Sequence, residues 1–199
     1  MITAKLSSVV MGAKRMRRLI IFGCAAALST GLAVGTASAD ISAQETSQPS
    51  STVTTFPLQA GSTPAQLSAR KQAKLPKIDR WASRVLAPVM DQPSGLMDVQ
   101  VVSALYIKKV FRKKFDKPAA ESALRISWRE SRLLPNVVND KNTNGTNDWG
   151  LFQLNDGGTL QYAGGTPGTS ALKPTWNVRA AARLIADVGW GPWGGMLTE

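Results

Sequence analysis

Residues 128 to 155 read WRESRLLPNVVNDKNTNGTNDWGLFQLN, and how this stretch is read decides the rest of the chain. Its first half looks like the end of a helix, because Pro135 lacks an amide proton and its ring clashes with the preceding turn. That end carries one carboxylate, Glu130. The second half is rich in Asn, Asp and Gly, which bond their own main chain or tolerate left-handed backbone, so it reads as a polar turn. A second carboxylate, Asp148, stands where the turn gives way to the apolar segment Trp149-Gly150-Leu151-Phe152.

Upstream, Pro118 suits a first helical position, and residues 119 to 130 contain good helix formers with neither Gly nor Pro. Ala123, Ile126, Ser127 and Glu130 fall on one side of the predicted helix, since residues three, four and seven apart share a face. A carboxyl group on a small and apolar face is disfavoured as an anion, the condition that a proton donor near neutral pH needs. The same glutamate can instead lie at the surface in an ion pair with Arg129 or Arg132, the common case for Glu. Periodicity leaves both open.

Further upstream, residues 96 to 115 read as a longer helix with Val99, Val102, Tyr106 and Val110 along one stripe. Ile78, Trp81, Val85 and Leu86 mark a shorter helix, separated from it by Pro93-Ser94-Gly95. Lys108, Lys109, Arg112, Lys113 and Lys114 crowd the end of the longer helix, where cations complement the helix dipole. They form either a solvated helix end or a contact for anionic polymers. Residues 40 to 75 are rich in Ser, Thr, Gln and Pro, with too few large apolar side chains to offset ordering entropy. They are expected to form a flexible tether or a glycosylated Ser/Thr stalk. Residues 1 to 39 read as a signal peptide: Lys14, Arg15, Arg17 and Arg18 precede an apolar run, and Ala37-Ser38-Ala39 offers cleavage after Ala39. A retained anchor is the alternative, and the chain's lone cysteine, Cys24, lies inside the apolar run as a conceivable lipidation site. The folded domain is then expected over residues 76 to 199, as a largely helical monomer.

Lys and Arg number 24 against 13 Asp and Glu, a net charge of +11. Five of the basic residues and none of the acids lie in residues 1 to 39, so the remainder carries +6 and suits a polyanionic environment. The absence of histidine excludes Ser-His and Cys-His nucleophile systems. The Asp140 to Asp148 loop loosely follows a calcium loop but has Asn and Thr where carboxylates belong and no closing Glu, so no metal or cofactor is expected. No helix-turn-helix, zinc or stacking pattern is present, which argues against nucleic acid. One cysteine leaves the domain without a disulfide.

Glu130-Ser131, Pro135 and the run Asn142-Thr143-Asn144-Gly145-Thr146-Asn147-Asp148-Trp149-Gly150-Leu151-Phe152-Gln153-Leu154-Asn155 together resemble the active-site region of the lysozyme superfamily. An Asn/Gly-rich hairpin leading into Asp, an aromatic, Gly, two apolar residues, Gln, an apolar residue and Asn is similar to animal-type (c-type) lysozymes. The Glu-Ser pair and the Gly-apolar-apolar-Gln block are shared with bacterial soluble lytic transglycosylases, and Pro174 with Asn177-Val178 resembles the start of their following helix. The resemblance spans residues from about 118 to 193. It implies a mainly α (α+β) fold, a lysozyme-like helical domain with a small β-hairpin beside an active-site cleft. The implied activity is that of a secreted bacterial enzyme cleaving the β-1,4 bond between N-acetylmuramic acid and N-acetylglucosamine in peptidoglycan. Two departures stand out: animal-type lysozymes are held by disulfides absent here, and bacterial transglycosylases usually lack a counterpart of Asp148.

By the resemblance Glu130 is the acid and Asp148 the nucleophile or electrostatic stabiliser. If Asp148 is only a turn residue, the substrate's acetamido oxygen or 6-hydroxyl supplies the attacking group, the latter giving a 1,6-anhydro product. Ser131, Trp149, Gln153, Asn155, Trp190 and Trp193 are the expected substrate contacts. For Gln153 and Asn155 the alternative is support of the turn, and for Trp190 and Trp193 it is filling the core. The basic helix end becomes a contact for anionic wall polymers. A catalytically silent peptidoglycan-binding module would share the cleft, and a Glu130 paired with an arginine would point there.

Overall fold

A computed structural model describes residues 54 to 90 and 95 to 197, so the expected signal peptide and the first part of the expected tether lie outside it. In chain order the elements are β1 (Thr54–Thr55), α1 (Ala69–Gln72), α2 (Leu75–Leu86), α3 (Asp98–Lys114), α4 (Lys117–Ser131), β2 (Val137–Asn139), β3 (Asp148–Trp149), β4 (Leu154–Asn155), α5 (Thr159–Tyr162) and α6 (Pro174–Val188). Short 3₁₀ turns at Pro64–Gln66, Ser170–Leu172 and Gly191–Trp193 complete them. The described residues are mainly helical with one small antiparallel sheet of order β1-β2-β3-β4, the mainly α (α+β) class that the resemblance implies.

Helix α3 is the hub. It packs against α2, α4 and α6, and every residue from Gln100 to Ile107 is buried. The single stripe expected from sequence is therefore too narrow, because over residues 100 to 107 neighbours on several sides leave the helix no solvent face. Gln100 is tolerated inside because its amide is satisfied: Nε2 donates to the Arg132 carbonyl at 2.8 Å, and Oε1 accepts from the Met97 amide at 2.7 Å. Helix α2 buries Ile78, Trp81, Val85 and Leu86, as their spacing predicts.

Helix α4 starts where Asp116 caps it, accepting from the Ala119 amide at 2.8 Å, with Pro118 in the first turn. Small residues, Ala119, Ala120, Ser122 and Ala123, let it press into the core. Its end is abrupt. Arg132 and Leu133 both take left-handed backbone, at φ 54° and 60°, and their amides turn back to the Trp128 and Ser127 carbonyls. Such backbone costs energy without glycine, and full burial of Leu133 holds it in place. The chain then runs directly into β2.

Residues 54 to 75 depart from the tether expected of them. β1 pairs with β2, Phe56 meets the Trp149 ring at 5.9 Å, the Tyr106 hydroxyl donates to the Gly61 carbonyl at 3.1 Å, and Leu67 is buried. Main-chain pairing and a few anchors order this segment, and composition registers neither.

Candidate active site

The last turn of α4 carries Glu130, and the residues sharing its face, Ala123, Ile126 and Ser127, are fully buried. The same turn holds the chain that follows Asp148. Ser127 Oγ donates to the Leu151 carbonyl at 3.0 Å, while Ser131 Oγ lies 2.9 Å from that carbonyl and 3.0 Å from the Ser127 carbonyl, either of which it can serve. From the other side, Asn177 of α6 accepts from the Phe152 amide at 3.0 Å and donates to the Trp149 and Ala171 carbonyls, each at 2.9 Å. Gly150 passes between these supports at φ 71°, where a Cβ would stand 2.6 Å from the Ala171 carbonyl oxygen. Gln153, another left-handed residue at φ 45°, donates to the Gly150 and Val137 carbonyls at 2.8 and 3.3 Å. All three non-glycine residues with left-handed backbone among the described residues thus border this one region, where strain is commonly stored.

Asp148 lies on β3 opposite Asn139 of β2 and Asn155 of β4. Three side-chain amides donate to its carboxylate: Asn155 to Oδ1 at 2.8 Å, and Asn139 and Asn142 to Oδ2 at 3.2 and 3.0 Å. No main-chain N–H of a described residue bonds that carboxylate, so it is not capping its turn. Asp156 has that local structural task. It accepts from the Asn147 amide at 2.9 Å, the Asn147 side chain at 3.3 Å and Trp149 Nε1 at 3.1 Å. Burial raises the affinity of Asp156 for a proton, but the bonds from Asn147 and Trp149 outweigh that effect and hold its carboxyl below the usual range.

Glu130 is partly buried, its side chain 24% exposed. Arg129 donates to its Oε1 through Nε at 3.0 Å and Nη2 at 2.6 Å, and the same Nη2 reaches the Trp193 carbonyl at 2.9 Å. The apolar setting expected for Glu130 is therefore present on its helix side only. No described residue donates to Oε2.

Several expected substrate contacts are placed inside. Ser131, Trp149 and Trp193 are buried, with their polar atoms engaged by protein: Ser131 at the Leu151 and Ser127 carbonyls, Trp149 at Asp156, and Trp193 Nε1 at the Phe152 carbonyl, 3.0 Å away. Gln153 bonds main chain and Asn155 holds Asp148. Trp190, half-buried, lies 6.0 Å from the Phe111 ring. Sequence reasoning did not single out Asn139, Asn142 and Asp156 as site residues, nor give Asn177 a task. The strand register Asn139↔Asp148↔Asn155 is the signal that finds Asn139, and it needs the hairpin to be aligned first. Among the described residues no group of three or more Asp, Glu, His or Cys is placed to hold a metal ion.

Two carboxylates thus come from different elements tied through one turn, one with an oxygen that no described residue donates to and the other in a cradle of amides. Lysozymes D and B of Drosophila melanogaster are each 33% identical to this chain over 78 residues. The chain is similar to lysozymes. That match covers 34% of this chain and 56% of each lysozyme, so the chain spans about half the length of the curated relatives it matches. No family model and no solved structure matches.

Proposed function

We propose that this protein is a secreted bacterial glycosidase of lysozyme type that cuts the β-1,4 link between N-acetylmuramic acid and N-acetylglucosamine in peptidoglycan. The observation that carries this reading is that α4, which bears Glu130 with an Oε2 that no described donor occupies, is tied through the Leu151 carbonyl to the turn following Asp148, whose carboxylate receives only side-chain amides. Glu130 protonates the bridging oxygen as the bond breaks, and Asp148 stabilises or attacks the oxocarbenium-like carbon. The amide cradle favours hydrolysis, because a substrate-assisted transglycosylase has no use for a second carboxylate set apart in this way. Cleavage of residues 1 to 39 would deliver the enzyme to the wall. Trp190 and the rims of the hairpin would line the bound strand.

The basic end of α3 supports contact with anionic wall polymers. Lys108 Nζ lies 4.5 Å from the Trp81 ring centroid, and burial, then the cations of Arg112 and Arg84, hold its pKa below the ordinary range. None of these three cations forms an ion pair with a described residue, so a polyanion can answer their charge.

Glu130→Gln is expected to lower wall lysis about 100-fold or more with unchanged thermal unfolding, the scale of a lost general acid. Lysis equal to wild type would end the proposal. Mass spectrometry of the digest separates the two chemistries: reducing ends mean hydrolysis, and 1,6-anhydro ends mean transglycosylation. The pair between Arg129 and Glu130 favours a second reading, a silent wall-binding module. Wild-type protein that binds wall glycan and releases no product would establish that one instead.

A further inference from the structure

A guanidinium has five N–H donors, and Arg129 uses three of them: Nε–H and one Nη2–H on Glu130 Oε1, and the second Nη2–H on the Trp193 carbonyl. The two hydrogens of Nη1 meet no described acceptor, and the side chain is 47% exposed. Its anchor is firm, because Trp193 is buried, bonds the Phe152 carbonyl through Nε1, and sets its ring edge against Phe152 at 5.8 Å. Arg129 is therefore held in place from two directions, by a helix and by the turn after α6. A planar guanidinium next to the acid, with one nitrogen that no described acceptor engages, matches a carboxylate better than any neutral sugar hydroxyl.

We propose that Arg129 reads a carboxylate carried by the glycan, through Nη1, while Nε and Nη2 keep Glu130 oriented. This rests on the reading that a peptidoglycan strand lies along Glu130. On such a strand the group is either the lactyl carboxylate of a muramic residue stripped of its peptide, or a carboxylate of an attached peptide stem. A polymer of N-acetylglucosamine alone has neither. Arg129 thus makes the site selective for wall glycan over neutral chitin-type glycan, in addition to positioning the acid.

The test is equilibrium binding, read without turnover, of soluble strand fragments to wild type, Arg129→Gln and Arg129→Lys. Fragments with and without peptide stems are each used native and with their carboxyls amidated. Amidation is expected to weaken wild-type binding about tenfold, the scale of one charge-assisted hydrogen bond at a half-exposed site, for the fragment type whose carboxylate is read. Arg129→Gln should be indifferent to amidation. Arg129→Lys, which keeps the charge without the fork, should fall between, and the wild-type preference should shrink as salt rises. Matching unfolding temperatures verify the variants, and if the Gln variant does not fold, the Lys variant carries the comparison. Equal losses on amidation in wild type and variant, no loss in wild type, or no binding of any fragment would each overturn the proposal. Preference for the native fragment in a protein that cleaves none would uphold the role of Arg129 while removing the enzymatic reading.

Discussion

Glu130 projects from a helix whose neighbouring residues Ala123, Ile126 and Ser127 are fully buried, whereas Asp148 lies on a two-residue strand and is held by amides from three other positions of the hairpin. The first support is packing beneath the helix, which fixes the backbone and is indifferent to charge, while Arg129 bonds the carboxylate itself. The second is a set of directed hydrogen bonds, which fixes charge and orientation. An acid that must meet one oxygen at a set distance gains from the first kind. A group that faces a developing positive charge gains from the second. The two supports meet at the turn of residues 149 to 153, where α4 holds the Leu151 carbonyl and α6 holds the Phe152 amide.

Breaking that junction should produce the largest effect. Gly150→Ala places a methyl at φ 71° within 2.6 Å of the Ala171 carbonyl and 2.7 Å of Asn177 Nδ2, both parts of the buried frame. Left-handed strain and the clash together are expected to cost about 3 kcal/mol. That lowers Tm by about 10 °C for a domain of this size. A scan within about 2 °C of wild type would show that the turn adjusts freely and that the two supports are not coupled through it.

Packing was legible in the sequence and the polar support was not. The spacing of Ile78, Trp81, Val85 and Leu86 marks the buried face of α2, and Pro118 and Pro135 bracket α4, because periodicity and proline act within a few residues of themselves. By contrast the amides of Asn139, Asn142 and Asn155 converge on Asp148 only after three strands are in register, and nothing in a run of Asn and Gly announces which will point inward. The pairing of β1 with β2, between residues more than 80 positions apart, is hidden for the same reason. Arg129 shows the limit from the other side. Its pairing with Glu130 was visible as an option, but its hold on the Trp193 carbonyl links residues 64 apart and appears only in three dimensions. The buried state of Trp149 and Trp193 likewise follows from partners distant in sequence, Phe56 and Phe152.

Asp148→Asn sharpens the comparison within the hairpin. The substitution keeps the shape but turns one oxygen into a donor facing amides that already donate, so the cradle loses one of its three bonds as well as the charge. If Asp148 acts chemically, wall-cleaving activity should fall by about tenfold or more, the scale set by removing electrostatic stabilisation of a transition state. Asn147→Ala removes only a 3.3 Å side-chain bond to Asp156, keeps the main-chain one, and should cost far less. Equal losses, after correction for the folded fraction at the assay temperature, would return Asp148 to a structural part in the turn.

The smallest effect belongs to Asp156, which supports the hairpin without serving the cradle. Its carboxyl is held below the ordinary range because bonds from Asn147 and Trp149 outweigh burial. A depressed folded value means that the protonated form loses those bonds, so the stabilisation is present above the unfolded value of about 3.9 and disappears as pH falls through the lower folded value. Thermal unfolding of wild type should therefore show an acid-side decline below about pH 4 that Asp156→Asn partly lacks. At a half-exposed site the difference should stay under about 1 kcal/mol. The indole N–H resonance of Trp149, bonded at 3.1 Å to Oδ2, reports the same event locally. If that resonance moves with pH identically in wild type and Asp156→Asn, the acid sensitivity of the hairpin does not arise at Asp156.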